Sequence, residues 1–244
     1  MTGGGARIGK AIALDLGRRG WKVAIQYRSS ADSAQQVADQ ICAAGSHAVA
    51  LQAHLSDPDA VRSLIPKAAE ELGPVNCLIN NASLFEHDTV ETVTDASWRS
   101  HMEVNLHAPL ILSQAFAEQP SAREGNVINL LDQRVWKLTP HFLSYTVSKT
   151  GLWTLTRTLA MALAPRIRVN AIGPGPTLPS PRQTKEQFER QCAATPLERG
   201  ATTDEICRAV GFILETPSLT GQMIALDGGQ HLAWQTPDVT GGVE

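Results

Sequence analysis

Short apolar, β-branched runs alternate with longer segments of helical periodicity along nearly the whole 244-residue chain. Six runs have the character of buried strands, at positions 22–27, 47–55, 75–82, 126–131, 168–175 and 222–229. Four segments between them, at 31–45, 57–73, 95–117 and 145–164, carry apolar residues every three to four positions. Such alternation requires right-handed crossovers, so it predicts an α/β Rossmann fold with a doubly wound parallel sheet flanked by helices on both faces.

The ends of three helical segments carry capping residues. Asp57 and Thr94 are placed to begin helices, and Gly45 and Gly73 are placed to end them. The only loop-rich insertion is 173–200, whose prolines and charges predict a mobile flap over the site rather than a second domain. We therefore predict one domain over 1–244 with a substrate-covering flap at 173–200.

Composition excludes several classes of partner. The formal charge of −3 and the pI near 6.2 argue against nucleic acid and anionic membranes. No apolar run is long enough to span a bilayer and no secretion signal is present, so the sequence predicts a cytoplasmic protein. The four cysteines show no paired spacing, which predicts reduced thiols and no metal site.

The chain opens with a glycine-rich loop, "MTGGGARIG", directly before a helical segment. Glycines at 3 and 9 let the backbone approach a pyrophosphate, whose charge the helix N-terminus stabilises, although glycines also simply form turns. A loop of this kind normally follows the first, central strand of the sheet. Met1 lies almost on the loop, so we expect either that this strand is truncated in the sequence or that the sheet is built unusually.

The residues that follow the strand at 22–27 bear on the choice of nucleotide cofactor. Arg28, Ser29 and Ser30 follow the strand at 22–27, and the first acidic residue is Asp32. A cation with hydroxyls suits a 2′-phosphate, whereas an NAD-binding site usually places an acid here, so the pattern predicts NADP(H). The alternative is that Arg28 is an ordinary solvated residue.

Four motifs occur in order on the expected elements: "TGGGARIG", "NNAS", "YTVSK" and "GPG". With them the chain resembles the short-chain dehydrogenase/reductase family along nearly its whole length. The resemblance implies that Tyr145 donates or accepts a proton, that Lys149 assists it and grips the ribose, and that Asn105 completes a relay through water. A spacing of four also puts Tyr145 and Lys149 on one helix face, where the ammonium should lower the tyrosine pKa.

Together with the residues after the strand at 22–27, the family resemblance also implies which residues contact the cofactor. They are Gly3, Arg7, Ile8, Gly9, Arg28, Ser29, Leu55, Asn81, Ala82, Lys149 and Gly175. The resemblance also implies a homotetramer.

Residues at four positions differ from the common family pattern and indicate which members of the family this chain is most similar to. Asp132 stands where most members have serine, Arg7 and Ser83 replace glycines, and Phe85 follows "NNAS". This combination is similar to pteridine reductases and to related bacterial dihydromonapterin or dihydrofolate reductases. A ring nitrogen of a pterin needs a proton, and an acid paired with tyrosine can relay it.

The pteridine resemblance implies that Arg7, Ser83, Phe85, Asp132 and Tyr145 contact the substrate, with Phe85 stacked on the pterin. Phe85 as a core or lid aromatic and Ser83 as a turn former are the structural alternatives. The leading hypothesis is therefore an NADPH-dependent pterin reductase. The alternatives are a carbonyl or 3-oxoacyl-thioester reductase or alcohol dehydrogenase of the same family, and an NADP-sensing or scaffold protein without catalysis.

Overall fold

The computed structural model describes residues 1–119 and 124–234. Its strands are β1 (Val23–Tyr27), β2 (Ala48–Gln52), β3 (Cys77–Asn80), β4 (Gly125–Leu130), β5 (Ile167–Pro174) and β6 (Met223–Leu226). Every strand pairing is parallel: β2 lies beside β1, and β3, β4, β5 and β6 follow one another in the second part of the sheet. The predicted parallel α/β architecture is confirmed.

Seven helices occupy the predicted helical segments, whereas one lies within the predicted flap and one, at Thr203–Glu215, was not predicted. They are α1 (Arg7–Arg18), α2 (Ala31–Ala43), α3 (Pro58–Arg62), α4 (Leu64–Leu72), α5 (Asp95–Met102), α6 (Ala108–Ala117), α7 (Leu143–Leu163), α8 (Lys185–Ala193) and α9 (Thr203–Glu215). Asp57 and Thr94 cap α3 and α5 through their side chains. Gly45 and Gly73 adopt positive φ angles of 92° and 87° just after α2 and α4, as helix-ending glycines do.

Two apolar cores cover the two faces of the sheet. On one face α1, α2 and α9 pack Ile12, Ile41 and Ile213 against strand residues such as Ile25 and Ile172. On the other face α4, α6 and α7 cover a second set of buried side chains, which includes Leu64, Leu78, Leu112, Phe116 and Val169. Helices on both faces are what the near-continuous apolar strands require.

Met1 and Thr2 lie between β1 and β3, where the sequence predicts a central strand. The amide of Gln26 donates to the Met1 carbonyl at 2.9 Å, and the amide of Thr2 donates to the Ile79 carbonyl at 3.0 Å. Next to these two residues a cleft of about 480 Å³ opens between the edges of β1 and β3. The cleft is lined mainly by apolar residues and lies away from Tyr145 and Asp132.

The predicted flap at 173–200 contains more regular structure than its composition indicates. Helix α8 begins with a complete capping box between Thr184 and Gln187. Two arginines hold the segment to the rest of the molecule: Arg7 donates to the carbonyls of Leu178 and Pro179, and Arg182, within the segment, bonds to residues of the loop after β3.

Candidate functional site

The candidate site lies at the carboxyl edge of the sheet. Because the strands are parallel, Arg28 after β1, Asn81 after β3, Asp132 after β4 and Gly175 after β5 all lie along this edge. Ligands of open α/β sheets bind outside this edge. The fold therefore brings the predicted cofactor and catalytic residues to the same side of the sheet.

The glycine-rich loop is fastened to the loop after β3. Thr2 Oγ1 accepts the amides of Asn81 and Ala82, each at 3.0 Å, and Asn81 Nδ2 donates to the carbonyls of Thr2 and Gly3. Gly3 has a φ of +61°. A Cβ at Gly9 would lie 2.2 Å from the Gly3 carbonyl oxygen, so glycine is required at position 9 for α1 to pack this closely.

Gln26, which sequence reasoning missed, also holds this loop in place through hydrogen bonds of its side chain. Its Oε1 accepts the amide of Gly3 at 3.0 Å and its Nε2 donates to the Ala53 carbonyl at 2.7 Å. Gln26 is buried at the end of a strand, where a polar residue in an apolar run is the only signal that could have identified it.

Arg7 opens α1 with a positive φ of 52°. This left-handed conformation is unusual for a residue other than glycine. The exposed guanidinium donates to the Pro179 carbonyl at 2.9 Å and the Leu178 carbonyl at 3.2 Å. In this structure Arg7 therefore binds the flap, and its predicted contacts with cofactor and substrate stay predictions.

The remaining predicted cofactor residues surround the same edge. The first turn of α1 carries no acidic residue, and Ile8 lies in it, partly buried. Arg28 and Ser29 are exposed beyond β1, and Leu55 is buried just beyond β2. A Cβ on Gly175 would lie 2.6 Å from the Cβ of Asp227, so packing alone explains glycine at that position.

Asp132, Tyr145 and Lys149 meet between β4 and α7. The Tyr145 hydroxyl donates to Asp132 Oδ2 at 2.9 Å, while Asp132 Oδ1 accepts the Arg134 amide at 2.8 Å. Lys149 Nζ donates to the Leu130 carbonyl at 2.7 Å and lies 5.9 Å from the centre of the Tyr145 ring. Tyr145 and Lys149 are buried and Asp132 is partly exposed. The Asp132 carboxylate therefore bonds to the buried Tyr145 hydroxyl while part of its own surface faces solvent.

The electrostatics of this trio differ from expectation. Burial and the neighbouring Asp132 carboxylate raise the pKa of Tyr145 well above its usual value, with smaller opposing effects from Arg134 and Ser83. The predicted lowering of the tyrosine pKa by Lys149 is therefore wrong, because the acid at position 132 opposes tyrosinate. Burial also raises the pKa of Asp132 and lowers that of Lys149 to about 8. Tyr145 thus keeps its proton.

Asn105 lies in a π-helical turn, Glu103–His107, that interrupts the predicted helix at 95–117. Its Nδ2 donates to the Leu84 carbonyl at 2.9 Å and to Ser148 Oγ at 3.0 Å. Its Oδ1 accepts the Leu84 amide at 2.8 Å and Ser83 Oγ at 3.3 Å. The side chain is fully bonded to protein groups, so it fastens the loop after β3 to α7, and its relay role stays a prediction.

Phe85 lies against the catalytic trio in an aromatic cluster. Its ring stacks on Phe142 with centroids 4.3 Å apart and an interplanar angle of 5°, and it meets Tyr145 edge-on at 4.6 Å. The Arg182 guanidinium lies 5.8 Å from the centroid of the Phe85 ring. Phe142 thus covers one face of Phe85, and the Arg182 guanidinium also lies over the ring. Sequence reasoning missed Phe142, which directly precedes α7 in a left-handed conformation and so follows no helical periodicity.

No group of three residues in 1–119 and 124–234 has the arrangement of a metal site. Within the same residues, no helix is long and apolar enough to cross a membrane.

Comparisons with known proteins find relatives over nearly the whole chain. A family model described as enoyl-(acyl carrier protein) reductase matches residues 5–231. The structure of FolM alternative dihydrofolate reductase 1 from Brucella suis, crystallised with NADP, is 52% identical with a TM-score of 0.94 and covers 97% of this chain and 96% of that chain.

Two curated relatives are more distant in sequence. An uncharacterized oxidoreductase of Methylorubrum extorquens is 33% identical over 94% of this chain and 95% of its own length. The 3-oxoacyl-[acyl-carrier-protein] reductase FabG of Staphylococcus epidermidis is 31% identical over 95% of this chain and 98% of its own length. The motifs, the parallel sheet and these matches together establish that the chain belongs to the short-chain dehydrogenase/reductase family.

Proposed function

We propose that the protein is an NADPH-dependent reductase of a pterin-type substrate such as a dihydropterin, dihydromonapterin or dihydrofolate. The observation that carries this proposal is the 2.9 Å hydrogen bond from Tyr145 to Asp132. A serine in place of Asp132 would offer a neutral donor to a carbonyl oxygen, whereas a carboxylate would repel the developing oxyanion. A ring nitrogen that takes up a proton develops no negative charge, so the Asp132 carboxylate does not repel it.

The residues at the glycine-rich loop fit a dinucleotide. The amides at the start of α1 face no acidic side chain, and the absence of a Cβ at Gly9 keeps the loop close to the helix. Arg28 and the neighbouring serines are exposed where a 2′-phosphate would lie. NADPH, when bound, supplies the hydride to a ring carbon of the substrate.

The protein's own groups provide the proton. Tyr145 is protonated because burial and Asp132 raise its pKa, and Asp132 takes up a proton more readily than a solvated aspartate because its own pKa is raised. Once Asp132 is protonated, the hydrogen bond between the two residues runs the other way: Asp132 gives its proton to the Tyr145 oxygen while Tyr145 passes its own to the substrate nitrogen. Lys149 lies one helical turn further along α7, and in this proposal it holds the ribose hydroxyls.

The Brucella structure supports this substrate class, since that protein is named as a dihydrofolate reductase and shares about half of its sequence with this chain. The FabG relatives favour a second candidate, reduction of a 3-oxoacyl thioester. Asp132 opposes that candidate, because such a reaction develops charge on oxygen. The predicted cytoplasmic location and homotetramer stay predictions.

The test is a substrate panel with purified protein. NADPH oxidation is followed at 340 nm, a standard wavelength, with dihydropterins, dihydrofolate and a 3-oxoacyl thioester in parallel. Turnover of a dihydropterin or dihydrofolate is expected. Thioester reduction alone would favour the second candidate, and no turnover with any of them would favour a cofactor-sensing protein.

A further inference from the structure

The catalytic helix α7 begins without a capping group of its own. Phe142, which precedes it, adopts a left-handed conformation with φ of 59° and ψ of 48° and makes no side-chain cap. The first amides of a helix have no partner within it and must be bonded elsewhere. Tyr145 is the third residue of α7, so whatever holds these amides also sets the position of the phenol.

Asp88, on the loop after β3, supplies the missing partners. Its backbone carbonyl accepts the amide of Phe142 at 2.8 Å and that of Leu143 at 3.4 Å. Its carboxylate accepts the amide of Ser144 at 3.2 Å and also the Ser144 hydroxyl. A residue 54 or more positions upstream therefore caps the first turn of the catalytic helix.

The Asp88 side chain is almost fully buried, with 2% of its surface exposed. Among the described residues no lysine, arginine or histidine forms an ion pair with it. The Ser97 hydroxyl lies 3.5 Å from its Oδ2. One helix amide and two hydroxyls thus bond the buried carboxylate. This arrangement fixes the geometry tightly, because loosening it would leave the acid unsatisfied.

His101 completes the buried network. Its Nε2 accepts the Glu86 amide at 3.2 Å, so the ring proton lies on Nδ1, which faces the Ser97 carbonyl at 2.9 Å and Ser144 Oγ at 3.3 Å. His101 is fully buried. It links α5 to the loop after β3 on one side and to α7 on the other.

The same loop carries Phe85, and the same first turn of α7 carries Tyr145. We propose that Asp88 is a positioning residue: by joining this loop to the start of α7, it holds the Tyr145 phenol in register with Phe85 and Asp132. This inference rests on the proposed role of Tyr145 as proton donor. It concerns a residue with no access to substrate, so its effect must pass through Tyr145.

The test compares Asp88→Asn and Ser144→Ala with Thr202→Ala. Thr202 caps α9 through its side chain, so its variant loses a helix cap at a site away from Tyr145. The chain has only two tyrosines, so labelling their Cζ atoms with ¹³C gives two NMR signals, and the one missing from Tyr145→Phe belongs to Tyr145.

For Asp88→Asn we expect a fall in kcat for the dihydropterin of about 10- to 100-fold, the scale of a small misplacement of a reacting group. The Kd for NADPH should stay within about twofold, and the Tyr145 ¹³C signal should move. Ser144→Ala should move the same signal in the same direction, and this result stands even if Asp88→Asn fails to fold. Thr202→Ala should lower Tm while leaving kcat and the signal unchanged.

An unchanged Tyr145 signal in both folded variants would overturn the proposal and leave Asp88 as an ordinary cap. The NMR readout needs no substrate. Failure of the pterin assignment would appear as absent turnover in the unmodified protein, whereas failure of the Asp88 proposal would appear as an unmoved Tyr145 signal.

Discussion

The hydroxyl of Tyr145 donates to Oδ2 of Asp132 at 2.9 Å, at the carboxyl edge of the parallel sheet. A phenol bonded to a carboxylate keeps its proton, as its raised pKa shows. The site therefore differs from one in which a neighbouring lysine ammonium favours the ionised tyrosine. The Tyr145–Asp132 pair also determines how turnover should depend on pH.

Turnover of a dihydropterin should fall as pH rises. The proposed relay needs a proton on Asp132, whose pKa is raised by burial, so the competent form is lost as pH increases through that raised value. A profile of kcat against pH should therefore fall on its alkaline side with an apparent pKa above the ordinary 3.8 of aspartate. A profile that instead rises with pH would show that the ionised pair is the active form.

Lys149 should make the protein more stable at alkaline pH. Burial lowers its pKa from 10.5 to about 8 in the folded protein. Between these values the unfolded chain binds more protons than the folded one, so the free energy of unfolding rises with pH across this window. The gain is about 3 kcal/mol at most, from a difference of roughly 2.5 pKa units.

Urea unfolding at pH 8 and pH 10.5 measures this change, with Lys149→Met as the reference that removes the titrating group. The two proteins should differ in the pH dependence of their unfolding free energy. Parallel dependence in both would mean that Lys149 titrates normally in the folded state.

Arg28→Asp should reverse the preference for the phosphorylated cofactor. Arg28 is exposed at the end of β1, where its charge can bond a 2′-phosphate and an acid would repel it. We expect the ratio of kcat/KM for NADPH to that for NADH to fall by about 10- to 100-fold, the scale of one or two charge-assisted hydrogen bonds. Arg208→Asp makes the same change of charge on the exposed surface of α9, and it should leave the ratio unaltered. An unchanged ratio in Arg28→Asp would show that Arg28 is an ordinary solvated surface residue and does not select the cofactor.

Phe85→Leu should weaken substrate binding more than it weakens the fold. Phe142 stacks on one face of Phe85, so a pterin would stack on the other face and displace the Arg182 guanidinium that lies over the ring. We expect KM for the dihydropterin to rise by up to about tenfold, since offset stacking contributes about 1 kcal/mol. Phe212→Leu changes a half-exposed phenylalanine on α9 and is the matched control. A lower Tm with unchanged KM would identify Phe85 as a core aromatic.

Periodicity predicted the sheet and the shared helix face of Tyr145 and Lys149, and the resemblance to the short-chain family predicted that Asp132 joins them. Strand periodicity and the spacing of four between Tyr145 and Lys149 are local properties, and parallel strands bring their carboxyl ends together without further information. The sign of the Tyr145 pKa shift was not predictable in this way, because it depends on the burial of the phenol and on the orientation of Asp132.

The residues that sequence reasoning missed act over long separations in the chain. Asp88 caps a helix 54 or more positions downstream, and Arg182 reaches Phe85 from within the flap. No local pattern marks such partners, because a lone aspartate or arginine in a loop is usually solvated. The π-helical turn at Asn105 was missed for a similar reason, since its apolar pattern is that of an ordinary helix.

Steady-state kinetics of Asp132→Asn, with Kd for NADPH measured by fluorescence titration, separates the proposed relay from a passive role for the acid. With a dihydropterin, kcat should fall by about 100-fold or more, the usual scale for removing a general acid, while Kd for NADPH stays within about twofold. A variant that keeps full turnover of the dihydropterin would contradict the assignment of Asp132 to the proton relay.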